Sequence, residues 1–264
     1  MPAARLSRRA VAAGIGLLPG GLAGGAGAQA PPPLIAGAAD LQFALGEIAA
    51  RFRAEAGQEV RLSFGSSGNI ARQIEQGSPV ELFLSADEAF VLRLAAGGHT
   101  RDAGALYAIG RIVLFVPPGS PIRAEDGLDG LRAALEAGRI RRFAIANPEH
   151  APYGRAAEQA LRAAGLWERL QPHLVLGENV AQATQFAIAG GSQGGIAAYS
   201  LVLAPTMRGR GAFRLLPDAL HEPLRQRMAL TRRAGPVAER FYTYMQEPAA
   251  RAIMHRYGFV LPGE

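Results

Sequence analysis

Four short turns in this chain share one design. Ala38-Ala39-Asp40 precedes Leu41, Ser66-Ser67-Gly68-Asn69 precedes Ile70, Pro152-Tyr153-Gly154 precedes Arg155, and Glu178-Asn179-Val180 precedes Ala181. Each sets small or capping residues just ahead of a run with helical spacing. The first N–H groups of a helix have no acceptor inside it and lie at the positive end of its dipole. Small residues let a ligand approach that backbone closely. Several helix starts gathered in one place can hold an anion by hydrogen bonds alone, with no cationic side chain. Ser, Asn and Asp are also the ordinary N-caps of any α/β protein, so the turns alone leave both an anion site and plain capping open.

The elements that would position these turns follow from periodicity. Val60 to Phe64 is a short apolar run that breaks into Gly65-Ser66-Ser67-Gly68, and Ile70 and Ile74 then recur at helical spacing. Leu41, Leu45, Ile48 and Phe52 mark another helix. Strands are expected at 81–87, 111–116, 141–147, 194–200 and 227–231, and closing helices at 237–246 and 247–258. Strands alternating with helices predict an α/β fold with largely parallel sheets, whose ligands sit at strand-to-helix edges.

The first thirty of the 264 residues stand apart. Arg5, Arg8 and Arg9 lead an apolar, glycine-rich run that ends in Ala28-Gln29-Ala30, the layout of an export signal cleaved near Ala30. Ser7-Arg8-Arg9 also suits a twin-arginine signal. The expected location is therefore periplasmic. Beyond Ala30 the chain keeps 25 basic and 22 acidic residues, a net charge of +3, which argues against a nucleic-acid partner.

Two absences exclude whole chemistries. Without cysteine there is no disulfide framework, thiol nucleophile or cysteine-based metal site. All 28 basic residues are arginine, so a P-loop, a Ser-x-x-Lys acylase and Schiff-base catalysis are excluded as well. The five histidines form no H-x-x-x-H pair. Gly65-Ser66-Ser67-Gly68 is not the G-x-S-x-G elbow of a serine hydrolase, and no spacing supplies its base. His150 reads as a loop brace, Asp87 and Glu88 as the cap of the next helix, and Trp167 as packing. Arg72 is the nearest arginine that could fork a carboxylate ligand, but it should lie a helical turn from the edge.

SFGSSGNIARQIEQGSPVELFLSAD, AIANPEHAPYGRAAEQAL, GENVAQATQFAIAGGSQGGIAAY and the ending MHRYGFVLP resemble the periplasmic molybdate-binding proteins of ABC importers, the ModA family. The likeness runs in register from about Leu34 to Pro262. It implies an α/β, two-lobed type II periplasmic binding protein fold with the ligand cleft between lobes. Residues 31–112 plus 229–264 would form lobe I and 113–228 lobe II. It implies no enzyme and no cofactor, but a monomer that passes molybdate or tungstate to a membrane permease. The oxyanion would be held through its oxygens, with no direct protein–metal ligand.

Residue by residue, the resemblance places Asp40, Ser67, Tyr153 and Val180 around the oxyanion. Ser67 would give its hydroxyl and N–H, and Val180 its N–H. Two positions depart from the family pattern. Many members have serine where this chain has Asp40, and a carboxylate beside a dianion is repulsive. Asp40 would serve by capping its own helix, by taking a proton, or by redirecting the pocket to another oxyanion or a small organic acid; capping is the favoured reading. Many members also draw a tyrosine from the segment that reads Gly195-Ile196-Ala197-Ala198 here. Ala198 stands in its place, Tyr199 would face the other way, and Tyr153 could restore the hydroxyl from another direction.

Overall fold

The computed structural model describes residues 31–263, so the export segment read in residues 1–30 lies outside the described residues. The chain opens with β1 (Leu34–Ala38), a 3-10 turn (Ala39–Leu41), α1 (Gln42–Ala56), β2 (Arg61–Gly65), α2 (Ser67–Glu75), β3 (Val80–Ser85), α3 (Glu88–Ala96) and β4 (Ala105–Gly110). It continues through β5 (Ile112–Val116), α4 (Gly127–Glu136), β6 (Phe143–Ala146), α5 (Pro152–Ala163), the short α6 (Trp167–Leu170) and β7 (Leu174–Gly177). Next come α7 (Val180–Ile188), β8 (Gly195–Ala198), the short α8 (Tyr199–Val202) and β9 (Ala212–Leu215). The last elements are β10 (Leu224–Leu230), α9 (Pro236–Tyr244) and α10 (Pro248–Arg256).

Two five-stranded sheets repeat one plan: β2-β1-β3-β10-β4 and β7-β6-β8-β5-β9. Four strands of each sheet run the same way, as the expectation of largely parallel sheets has it, but one reversed strand in each, β10 and β5, makes the sheets mixed. β1 runs parallel to β2 and β3, and β6 runs parallel to β7 and β8. β10 and β5, by contrast, pair antiparallel with both of their neighbours. Parallel neighbours need a crossover helix between them. α1, α2, α5 and α7 serve that purpose, whereas the strands that carry the chain from one sheet to the other have none.

Arg111 alone separates β4 in the first sheet from β5 in the second. The return falls between β9 and β10. β10 was expected only from residue 227, with a lobe boundary at 229, yet it starts at Leu224 and pairs with β4 from that residue on. Along β10, Leu224, Gln226 and Met228 point inward. Alternation therefore extends the strand into a segment whose arginines disguise it.

Strand register brings the turns together. The end of β1 lies beside the end of β2, Ala38 against Gly65, and the end of β6 beside that of β7, Ala146 against Gly177. The chain leaves all four ends into helices. One apolar cluster runs through both sheets, from Ile35, Leu82 and Leu84 to Val113, Phe115 and Ala144. α1 and α9 close it with edge-to-face ring pairs, Phe52–Phe241 at 5.1 Å and Phe52–Tyr244 at 5.2 Å.

Candidate functional site

Between the two sheets the four turns line a single cavity. Its wall includes Ala39 and Asp40, Ser66 and Ser67, Pro152 and Tyr153, and Asn179 and Val180. The space is small, about 190 Å³ with its open mouth included. A small compact ligand suits it. α2, α5 and α7 all begin at this wall, α2 from the first sheet and the other two from the second.

Each start is arranged differently. In α2, Ser67 is fully buried and its Oγ accepts the N–H of Ala86 at 3.0 Å, which leaves its own O–H free to donate. Ser66 Oγ shares a hydrogen bond with His150 Nδ1 at 3.0 Å, and the Gly68 N–H donates to the His150 carbonyl at 3.0 Å. His150 therefore braces one lobe against the other. α5 carries proline in its first turn, which has no N–H to give, so the next donor in line is the N–H of Tyr153. In α7, Asn179 Oδ1 caps the N–H of Gln182 at 3.0 Å. The N–H of Val180 at the first helical position has no acceptor within the helix.

Other residues singled out in the sequence lie elsewhere. Arg72 is exposed and donates to Asn69 Oδ1, so it supplies no fork for a carboxylate ligand. Asp87 Oδ1 accepts the N–H of Ala89 at 2.8 Å as the α3 cap, and its other oxygen pairs with Arg155 of α5 across the cleft. Glu88 is held by Arg225 at 2.5 Å and Arg227 at 2.9 Å. Ala198 is buried, and Tyr199 packs edge-on to Phe213 at 5.8 Å beneath the Arg111 guanidinium, off the cavity wall. Among the described residues no group of three or more His, Asp or Glu could hold a metal ion.

Residues 33–260 match the family described as bacterial extracellular solute-binding protein. The molybdate-binding protein ModA of Azotobacter vinelandii is 34% identical, over 97% of this chain and 98% of that one. That of Rhodobacter capsulatus is also 34% identical, over 81% and 82%. The solved periplasmic molybdate-binding protein of A. vinelandii superposes with a TM-score of 0.79 at 31% identity, covering 87% of this chain and 99% of its own. The chain belongs to the ModA family of bacterial extracellular solute-binding proteins. A sulfate-binding protein, SubI of Mycobacterium tuberculosis, shares the fold at 17% identity with a TM-score of 0.69.

Against that family background Asp40 is the residue to explain. It is 1% exposed, and its side chain does not cap the Ala39–Leu41 turn or α1, so the favoured capping reading is corrected. Instead Oδ2 accepts the hydroxyl of Tyr153 at 3.0 Å and the amide Nε2 of Gln226 at 2.7 Å. Oδ1 is buried without a partner. Burial pushes the carboxyl up to about 6, and the hydrogen bonds from Gln226 and Tyr153, with a weaker one from its own main-chain N–H, only partly offset it. Tyr153 lines the cavity, and its hydroxyl is engaged by Asp40.

Three residues behind the cavity wall escaped sequence reasoning: Gln226, Tyr107 and Gly110. Gln226 is fully buried; its Oε1 accepts the Tyr107 hydroxyl at 2.8 Å, while its Nε2 also reaches Tyr153 Oη at 3.2 Å. Burial and the neighbouring Asp40 hold both tyrosines well above the ordinary phenol range. Gly110 makes room for the cluster, since a Cβ there would lie 2.3 Å from Tyr153 Oη and 2.6 Å from Gln226 Nε2. A glutamine at an inward position of an alternating strand is the signal that could have revealed the network.

Proposed function

We propose that this chain captures molybdate outside the cytoplasm and delivers it to the membrane permease of an ABC importer, with tungstate as a second ligand. The observation that carries this reading is the convergence of three helix starts and the Ala39–Leu41 turn on a cavity whose wall holds no arginine or lysine. Such a wall selects an anion by N–H and O–H donors. The relatives are molybdate-binding proteins, and like them the chain is a binding protein, not an enzyme.

Ser67 supplies its free hydroxyl and N–H, Tyr153 and Val180 supply backbone N–H groups, and Asp40 closes the wall. Lobe I comprises the segments that build the first sheet and lobe II those that build the second, with the passages around Arg111 and between β9 and β10 acting as hinges. Closure supplies the donors of α5 and α7 to an ion first docked on α2. Sulfate is refused on size, because fixed N–H donors cannot follow a smaller ion inward. The segment up to Ala30 exports the chain to the periplasm and is removed there.

Calorimetric titration of the chain from Pro31 onward tests this reading. Molybdate and tungstate should bind one to one, with sulfate and phosphate silent. Silence from molybdate at every pH tried would overturn it.

A further inference from the structure

We infer that Asp40 binds the oxyanion in its acid form, donating a hydrogen bond from Oδ1, so that each oxyanion captured brings one proton into the site. The inference rests on the oxyanion reading above and concerns the regulation and selectivity of that same cavity.

The geometry assigns the proton to one oxygen. Oδ2 already accepts two donors, from Tyr153 at 3.0 Å and Gln226 at 2.7 Å. Oδ1 belongs to a residue that lines the cavity, is buried, and has no partner. An ionised carboxylate in that position would leave one oxygen unsatisfied and set two negative groups against each other in a dry cleft. A proton on Oδ1 removes the repulsion and turns an orphan acceptor on a cavity-lining residue into a donor for an acceptor-only ligand.

The surroundings offer no other source of compensation. Tyr107 of β4 and Tyr153 of α5 are the ionisable groups of the cluster, and both are held protonated. Ser200 of α8 donates to the Asp40 main-chain carbonyl at 2.8 Å. α7, packed against the Ala39–Leu41 turn, has no ionisable side chain. The charged groups of the other elements on that turn pair elsewhere: Glu47 of α1 with Arg256, Arg51 with Glu55, Arg53 with Glu59, and Arg61 of β2 with the Pro32 carbonyl, while Tyr199 of α8 lies with its ring under Arg111. His150, in the turn before α5, is tied to Ser66. With its carboxyl pushed up to about 6, free Asp40 is largely ionised at neutral pH, so the proton must come from solvent.

Molybdate is titrated calorimetrically into the wild-type chain at pH 7.5 in two buffers of different ionisation enthalpy, and again across pH 6 to 8.5. Uptake of about one proton per ion is expected, with affinity falling roughly tenfold per pH unit above the free carboxyl's titration. Asp40→Asn keeps a donor on the cavity side without a titrating proton. It should show no uptake, a flat pH profile and tighter binding than wild type at pH 8.5. Molybdate binding to wild type with no buffer-dependent heat would overturn the inference and leave the ligand reading intact. Uptake that persists in Asp40→Asn would overturn it too, by moving the proton to another group. Failure of wild type to bind molybdate at any pH would remove both.

Discussion

Ser67 shows how one hydroxyl can serve two masters. Its oxygen satisfies the N–H of Ala86, and its hydrogen remains for a ligand. Ser67→Ala should weaken molybdate binding by about 1–3 kcal/mol, the loss of a hydrogen bond to a charged group, and calorimetry would read it directly. A milder loss of stability should accompany it, because Ala86 is left without its acceptor. Asp40 makes a different prediction about the unliganded chain. Its carboxyl titrates near 6 when folded, against 3.8 as the ordinary value, so between those limits the folded chain holds a proton that the unfolded chain has shed. This group's contribution to stability therefore falls as pH rises through that window, by on the order of 3 kcal/mol in all, and the loss is complete above it. Urea denaturation at pH 4 and pH 7 should show Asp40→Asn gaining on wild type at the higher pH. An unchanged difference would place the burial cost elsewhere.

At the scale of elements, α2 meets the opposite lobe so closely that its second residue has to be glycine. A Cβ on Gly68 would lie 2.7 Å from the backbone oxygen of His150, which cannot swing away as a side-chain tip could. Gly68 is an ordinary helical position, and alanine is intrinsically a better helix former. Gly68→Ala should therefore fold well and yet fail to close. We expect an affinity loss on the order of tenfold, from overlap costing about 1–2 kcal/mol. Small-angle scattering should show a smaller compaction on adding molybdate than in wild type. These turns were legible in the sequence because a small-residue break followed by a 3.6-residue period is a local signal. The asparagine cap of α7 and the aspartate cap of α3 were legible for the same reason. The mixed sheets were not, because strand direction depends on which lobe the chain enters, and nothing within β5 or β10 records that.

For the molecule as a whole, closure is written in bonds between distant parts of the chain. Asn69 Nδ2 of α2 reaches Glu178 Oε1 at 3.0 Å, Gly68 reaches His150, Arg155 reaches Asp87, and Tyr153 reaches Asp40. Asp40 lies 113 residues from Tyr153 and 186 from Gln226. Those separations explain why Asp40 and Tyr153 were each visible in the sequence but their pairing with each other and with Gln226 was not. Local spacing says what a residue is, and only the fold says what it faces. The same arrangement divides the chain's chromophores. Its single indole, Trp167, is buried in the second lobe under the Arg162 guanidinium, 5.0 Å from the ring, away from the cavity wall. Two of its six phenols, Tyr107 and Tyr153, belong to the hydrogen-bonded cluster around Asp40. Adding molybdate should therefore perturb tyrosine absorbance and leave tryptophan emission nearly unchanged, a contrast that parallel titrations would read.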